Sequence, residues 1–228
     1  MLENVKIKNL KERSILNLAI TTKNAIKDNR LELLKPGEKL GATNDAMWKT
    51  MFNNENRKKY TCKLLSCILD ISYDELFNNL HYGKEILDKE KYHSKGEMVD
   101  FVAIIDGVAV GIEVNCTEKT ERNIDYATRL YHRYVTIDNK RYEFTKTIQI
   151  SLNNYSFKGR EDITEEVFTL RNDKGDWLTD KLQFMYFYIP AIRNVWYNGD
   201  RNKLTEAEKC ILAYVEKDIS EARKIARG

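Results

Sequence analysis

Residues 98–116 read MVDFVAIIDGVAVGIEVNC and contain a strong β-hairpin signal. Two runs of strand-forming residues flank Asp106 and Gly107, and an Asp-Gly pair between such runs is typical of a tight two-residue turn. A turn centred on this pair places Asp100 of the first run directly opposite Glu113 of the second. Like charges in directly opposed positions destabilise an antiparallel pair, so these two acids require a partner.

The neighbours of the two acids leave room for a ligand. Gly111 and Ala109 are small and share the predicted strand face of Glu113, and Asn115 continues that face. A divalent cation such as Mg²⁺ is one partner, since hard ions bind through one or two carboxylates and keep water ligands. A solvated face on an edge hairpin is the other interpretation, and the hairpin alone favours neither.

Composition indicates a globular protein without a strong overall charge. The 228 residues are 42% hydrophobic and carry a formal net charge of +3, so bulk charge does not identify a nucleic-acid-binding protein. The first 60 residues hold 13 Lys or Arg and 7 Asp or Glu, which makes the amino-terminal part the basic part. The four cysteines form no CxxC pair, which argues against a zinc site and a disulfide scaffold. No apolar run approaches the roughly 20 residues that span a bilayer, so we expect a cytoplasmic protein without membrane contact.

Periodicity predicts several helices, the hairpin, a further helix, strands and a final helix. Apolar spacing typical of helices occurs at 9–27, 46–52, 57–71, 73–80, 118–136 and 204–227. The last of these helices opens with the capping-box pattern of Thr205 and Glu208. Strand-like alternation occurs at 145–154, 165–172 and 181–190. A hairpin followed by a helical crossover into further strands favours an α/β fold with a mixed sheet flanked by helices.

The helix predicted after the hairpin is basic on one face. Spacings of three or four residues place on this face Lys119, Arg122, Tyr126, Arg129 and Arg133. The opposite, packing face is predicted to consist of Ile124, Ala127, Leu130 and Tyr134. Because the helix begins just after Asn115, its basic face is expected to lie near the acids. An ordinary solvated helix surface is the alternative interpretation.

Four motifs, in this order along the chain, resemble the PD-(D/E)XK nuclease superfamily. The resemblance is to the recombination-promoting nucleases in particular, which are also described as PD-(D/E)XK family transposases. Their opening Asp-x-x-Phe-Lys-x-x-Phe is matched by Asp45, Trp48, Lys49 and Phe52. Their strand Asp and Glu-x-Gln are matched by Asp100 and by EVN at 113–115, and their helical Arg, Tyr and Arg-x-Tyr by Arg122, Tyr126, Arg129 and Tyr131. WLTDKLQFMYFYIP, at 177–190, is similar to their final strand.

The resemblance covers about residues 43–190 and departs from the family at two positions. Asn115 stands where the family has Gln and the wider superfamily Lys, and Trp48 stands where the family has Phe. The resemblance implies a restriction-endonuclease-like mixed β-sheet flanked by helices, with extra amino- and carboxy-terminal helices. The predicted domains are a helical extension over 1–42, a nuclease-like domain over 43–200, and a carboxy-terminal helix over 201–228 packed on the same domain.

The activity that the resemblance implies is metal-dependent cleavage of DNA by an endonuclease linked to recombination or mobile elements. Such an enzyme would hold Mg²⁺ or Mn²⁺ through Asp100, Glu113 and the Val114 carbonyl. Asn115 would orient the attacking water, and Lys119 would bring an ammonium toward it on its flexible stem. If Lys119 supplies this charge, Asn115→Lys is expected to be tolerated or to rescue the loss of Lys119.

DNA is the expected partner, held mainly through its phosphates. The residues expected to bind it are Lys119, Arg122, Tyr126, Arg129 and Arg133, with Tyr126 either packing beside the arginines or contacting a sugar. Two further residues are additional candidates for the site: Asp45, which would add a carboxylate or cap a helix, and Lys49. The alternative function is a catalytically inactive protein of this fold that binds nucleic acid or a protein partner. A homodimer is a further candidate assembly of the chain.

Overall fold

The computed structural model describes residues 48, 51–52, 54–83, 101–131, 134–137, 140–143 and 145–227. Helices α1 to α6 span Lys58–Leu69, Tyr73–Asn79, Thr120–Tyr131, Ile189–Asn198, Glu206–Val215 and Ile219–Ile225. Strands β1 to β8 span Leu80–Tyr82, Phe101–Ile105, Val108–Asn115, Tyr134–Ile137, Lys140–Glu143, Lys146–Asn153, Glu165–Arg171 and Trp177–Tyr188. Short 3₁₀ turns occupy Glu55–Arg57 and Arg201–Lys203.

Six strands form one sheet in the order β1-β2-β3-β6-β8-β7, and β4 pairs with β5 in a separate two-stranded sheet. β6 runs parallel to both β3 and β8, whereas the pairs at the two sides of the large sheet are antiparallel. α3 lies in the chain between the parallel strands β3 and β6, as a crossover connection requires. A mixed sheet flanked by helices confirms the predicted fold class.

The β2–β3 hairpin forms with the predicted turn and register. Asp106 and Gly107 have φ values of 46° and 81°, and a type I′ turn requires positive φ at both central residues. The pairing continues from the turn to Phe101, which lies opposite Ile112 as predicted. Asp100 lies outside the described residues.

Side chains alternate between two differently covered faces of the large sheet. One face packs against α1, α2, α4, α5 and α6 in an apolar cluster that contains Phe101, Ile150 and Ile211. The other face packs against α3, where Val102 and Leu130 belong to a smaller cluster. The residues of β3 and β6 that point toward α3 therefore have different surroundings from their neighbours in the chain.

The structure corrects two helix predictions. α3 ends at Tyr131 and β4 begins at Tyr134, so the helix predicted over 118–136 is too long and Tyr134 is not part of its packing face. The carboxy-terminal stretch forms two helices, because Asp218 caps a new helix through its side chain. That side chain accepts a hydrogen bond from the Glu221 N–H at 2.9 Å.

Several other elements agree with the predictions. β6, β7 and β8 form where strands were predicted, and the capping box forms because Thr205 and Glu208 bond each other's backbone N–H at 3.2 and 2.7 Å. β1 was missed, since Leu80 was predicted as the end of a helix. The helix predicted over 9–27 lies outside the described residues. Within the described ranges, no helix is long and apolar enough to cross a membrane.

Candidate active site

A buried polar region lies where β3 and β6 end. Because the two strands are parallel, their carboxyl ends meet at one edge, with Glu113 beside Ser151 and Asn115 beside Asn153. All four residues are at most 2% exposed. Burying polar side chains costs free energy unless each is hydrogen-bonded, so the partners of these four residues determine what the edge can do.

Arg122 of α3 supplies the positive charge that faces Glu113. Its Nη2 donates to Glu113 Oε2 at 2.8 Å, and the same nitrogen donates to Asn115 Oδ1 at 2.7 Å. The Glu113 side chain is only 2% exposed, whereas that of Arg122 is 37% exposed. For Glu113, the interpretation as an acid on a solvated edge hairpin is therefore wrong.

A hydrogen-bond network fixes the orientation of Asn115. Its Nδ2 donates to Ser151 Oγ at 2.8 Å, and that hydroxyl donates to Asn153 Oδ1 at 2.8 Å. Asn123 of α3 donates to Ser151 Oγ at 3.0 Å and to Tyr186 Oη at 3.2 Å. Burial raises the pKa of the Tyr186 phenol above its ordinary value of 10.0, so the phenol is neutral at physiological pH. Because its amide nitrogen is engaged by Ser151, Asn115 points its oxygen at Arg122.

α3 buries a different set of residues from the predicted set. Ala127 and Leu130 pack against the sheet as expected, but Tyr126 is buried with them at 3% exposure and Ile124 is 46% exposed. The predictions that Tyr126 lies on the exposed basic face and that Ile124 packs are therefore wrong. The Tyr126 ring lies 5.5 Å from the Arg122 guanidinium carbon, so it packs beside an arginine and is too buried to contact a sugar.

The remaining predicted residues are partly described. Lys119 is exposed just before α3, and its carbonyl accepts the Asn123 N–H at 2.9 Å. Arg129 forms an ion pair with Asp125 at 2.8 Å along the same helix. Four predicted residues lie outside the described residues: Asp45, Lys49, Asp100 and Arg133.

A family model described as PD-(D/E)XK nuclease family transposase matches residues 42–220, which is more than half of the chain. The chain belongs to this family. Curated proteins and solved structures, compared with the chain in the same way, give no match. The description of this family combines nuclease chemistry with mobile elements.

The side-chain oxygens of Glu113 and Asn115 are chemically suited to a divalent metal, which PD-(D/E)XK nucleases typically use. Glu113 offers a carboxylate oxygen and Asn115 an amide oxygen, which are hard ligands that Mg²⁺ accepts. Both oxygens accept hydrogen bonds from one cationic nitrogen, so this buried polar region already binds positive charge. Val114, whose carbonyl is a predicted metal ligand, lies between Glu113 and Asn115 on β3. Within the described ranges, no three His, Cys, Asp or Glu residues form a metal-binding group.

The contribution of β6 to the candidate site was not predicted from the sequence. Four residues of one β6 face are fully buried: Thr147, Gln149, Ser151 and Asn153. Their signal is present in TIQISLN, residues 147–153, where polar residues alternate with Ile, Ile and Leu. Such alternation normally indicates a solvated face, whereas here the polar face is covered by α3. Asn123 and Tyr186 carry no comparable signal, because their contact depends on how α3 docks.

Proposed function

We propose that this protein is a divalent-metal-dependent endonuclease that hydrolyses phosphodiester bonds in DNA. The observation that carries the proposal is the convergence of the Glu113 and Asn115 oxygens on one positive charge. These oxygens are buried near the carboxyl ends of the parallel strands β3 and β6, in a sheet that belongs to a nuclease family. A cation between Glu113 and Asp100 would also offset the repulsion expected between opposed acids.

The proposed metal ligands are Asp100, Glu113 and the Val114 carbonyl. When bound, Mg²⁺ or Mn²⁺ would lower the pKa of a bound water molecule and would stabilise charge on the scissile phosphate. Asn115 orients the attacking water through Oδ1, which the bond to Ser151 keeps directed into the pocket. Lys119 is exposed at the start of α3 and brings its ammonium toward the site on a flexible stem.

The proposed DNA-binding surface is the exposed side of α3 together with Lys119, which lies just before this helix. It includes Lys119, Arg122 and Arg129. Arg133, outside the described residues, is proposed as a further phosphate contact. Contacts of these side chains with phosphates would give sequence-independent, salt-sensitive binding. Tyr126 supports this surface from below, because its buried ring packs beside the Arg122 guanidinium. Processing of DNA in recombination or by mobile elements is the setting that family membership supports.

The test is incubation of supercoiled plasmid with the purified protein in Mg²⁺, Mn²⁺ or EDTA. Asp100→Asn and Glu113→Gln remove a negative charge without changing side-chain shape. We expect each to reduce nicking to about 1% of wild type or less, because the metal would lose a carboxylate. Glu121→Gln is the matched control, since Glu121 is an exposed acid on α3, and it should cleave like wild type.

Wild-type cleavage by a folded Glu113→Gln protein would remove the proposed centre. A wild-type protein that cleaves with neither metal, yet shifts labelled DNA in a gel, would instead support the non-catalytic binding protein. One observation favours this second function: the Arg122 guanidinium already compensates the Glu113 charge at 2.8 Å, so the acid is stable without metal.

A further inference from the structure

The Arg122–Glu113 ion pair is unusual for a purely structural contact. Only Nη2 of Arg122 contacts the acid and the amide, although a guanidinium can present two parallel N–H groups to one carboxylate. The Nε of Arg122 is buried and has no hydrogen-bond partner among the described residues. A buried donor without a partner costs free energy, so the guanidinium is not bound in its most stable geometry.

The two partners also differ in their access to solvent. The side chain of Glu113 is 2% exposed and Asn115 is 2% exposed. Neither the Glu113 oxygen nor the Asn115 oxygen can move away without rearranging the paired ends of β3 and β6. The Arg122 side chain is 37% exposed on a long flexible stem. Of the three groups, the guanidinium is the one that can leave the pocket.

We infer that Arg122 competes with a divalent ion for the Glu113 carboxylate and has to be displaced when such an ion binds there. This inference rests on the proposed function. Glu113 Oε2 cannot serve both cations at full strength, and two positive charges a few ångströms apart repel each other. The displaced guanidinium remains on the exposed side of α3, where a DNA phosphate can accept its hydrogen bonds. Arg122 therefore couples metal binding to phosphate binding.

Asn115 fits this role of Arg122. Its side-chain oxygen accepts the guanidinium N–H at 2.7 Å, whereas a lysine at this position would place a second positive charge beside it. The Asn115 oxygen thus helps to hold the Arg122 guanidinium beside the Glu113 carboxylate. Lysine at position 115 would be incompatible with that arrangement.

The first experiment measures Mn²⁺ binding by calorimetry in the absence of DNA. Removing the competing cation in Arg122→Gln should tighten Mn²⁺ binding at least about tenfold. Arg193→Gln is the matched control, because Arg193 is 40% exposed and pairs with Glu216 on another part of the molecule. Its affinity should equal that of wild type. An Arg122→Gln protein that binds Mn²⁺ no more tightly than wild type overturns the inference.

The second experiment uses the wild-type protein, so it does not depend on whether a variant folds. The Nε–Hε NMR signal of Arg122, assigned with Arg122→Lys, is followed during titration with Mg²⁺. Displacement predicts a shift that saturates with the Mg²⁺ bound at the site, and a subsequent shift on addition of a duplex oligonucleotide. A signal that stays fixed at saturating Mg²⁺ overturns the inference.

The plasmid assay distinguishes failure of this inference from failure of the proposed function. Metal-dependent nicking with an unchanged Mn²⁺ affinity in Arg122→Gln overturns the role of Arg122 and leaves the endonuclease intact. Tighter Mn²⁺ binding in Arg122→Gln without nicking by wild type supports the role of Arg122 and removes the endonuclease.

Discussion

Asn115 contacts a charged residue on one side and the neighbouring strand on the other, and both contacts restrict what can replace it. Its oxygen accepts from Arg122 at 2.7 Å and its nitrogen donates to Ser151 at 2.8 Å. A lysine has no acceptor and carries a positive charge. At a position that is 2% exposed, that charge would be buried beside a guanidinium.

Asn115→Lys should therefore destabilise the protein, contrary to the tolerance expected if Lys119 supplies the charge. We expect the free energy of unfolding in metal-free buffer to fall by about 3–5 kcal/mol, as when a buried ion pair is broken. Urea unfolding followed by circular dichroism measures the change. Asn198→Lys is the control, because Asn198 is exposed on α4, and its effect should stay within about 0.5 kcal/mol. Equal stability of the two variants would contradict the assigned contacts of Asn115.

Lys119 is suited to chemistry rather than to stability. It is exposed, and its backbone carbonyl contributes a hydrogen bond to the start of α3 that any side chain at this position would keep. Lys119→Ala should leave the unfolding midpoint unchanged and lower single-turnover plasmid cleavage about 100-fold, because the ammonium no longer stabilises phosphate charge. Lys174→Ala, in an exposed turn, is the control. Cleavage by Lys119→Ala at the wild-type rate would remove lysine from the proposed mechanism.

Local chemistry explains why some residues of the site could be predicted and others could not. Asp106 and Gly107 determine the turn, the turn determines the register, and the register places Glu113 on β3. These steps need only neighbours in the chain. The contact of Arg122 with Glu113 depends instead on how α3 docks, and a helix face read from spacing alone was wrong about Tyr126.

At the scale of elements, the distance between α3 and the sheet depends on Gly111. A Cβ at this position would lie 2.4 Å from Gln149 Oε1 and 2.9 Å from Leu130 Cδ1. Both distances are shorter than van der Waals contact, so a larger residue would push β6 side chains and α3 away from β3. Since α3 carries Arg122, the close approach at Gly111 also positions Arg122 beside Glu113 in the candidate site.

Gly111→Ala should destabilise the protein by about 1–3 kcal/mol through overpacking. Gln149→Ala should relieve part of this cost, because it removes the nearer clash and two buried polar atoms that have no partner among the described residues. A double-mutant cycle by urea unfolding measures the coupling, and we expect the double variant to be at least about 0.5 kcal/mol more stable than additivity predicts. Additive effects would show that the close approach of Gly111 and Gln149 is not the cause of the strain.

The ends of several helices and strands could not be predicted from the periodicity of the sequence. The helical spacing of polar and apolar residues continues past Tyr131, but the chain pairs Tyr134–Ile137 with Lys140–Glu143 instead. In the carboxy-terminal stretch the amphipathic pattern also continues, while Asp218 starts a new helix by capping it. β1 has only three residues, which is too short for alternation to be recognised.

At the scale of the whole molecule, α5 and α6 complete the apolar cluster that supports the opposite face of the active-site sheet. Ile211, Leu212 and Val215 of α5 are at most 2% exposed and belong to the same cluster as Phe101 of β2. Tyr214 packs edge-on against Phe52 with ring centroids 5.1 Å apart. The family match includes all of α5, in agreement with a structural role in the domain.

Removal of residues 205–228 should therefore abolish cooperative folding, because α5 and α6 are part of the apolar cluster. Full burial of one Ile, Leu or Val side chain contributes about 1.5–3 kcal/mol, so the three buried residues of α5 contribute about 5–9 kcal/mol. This amount is comparable with the total stability of about 5–15 kcal/mol of an ordinary domain. Thermal unfolding followed by circular dichroism should show no cooperative transition for the chain that ends at Leu204. A chain that lacks only 227–228 is the control and should unfold like wild type, because Arg227 is exposed. A cooperative transition at the wild-type midpoint in the shorter chain would mean that residues 205–228 lie outside the folding unit that holds Glu113 and Asn115.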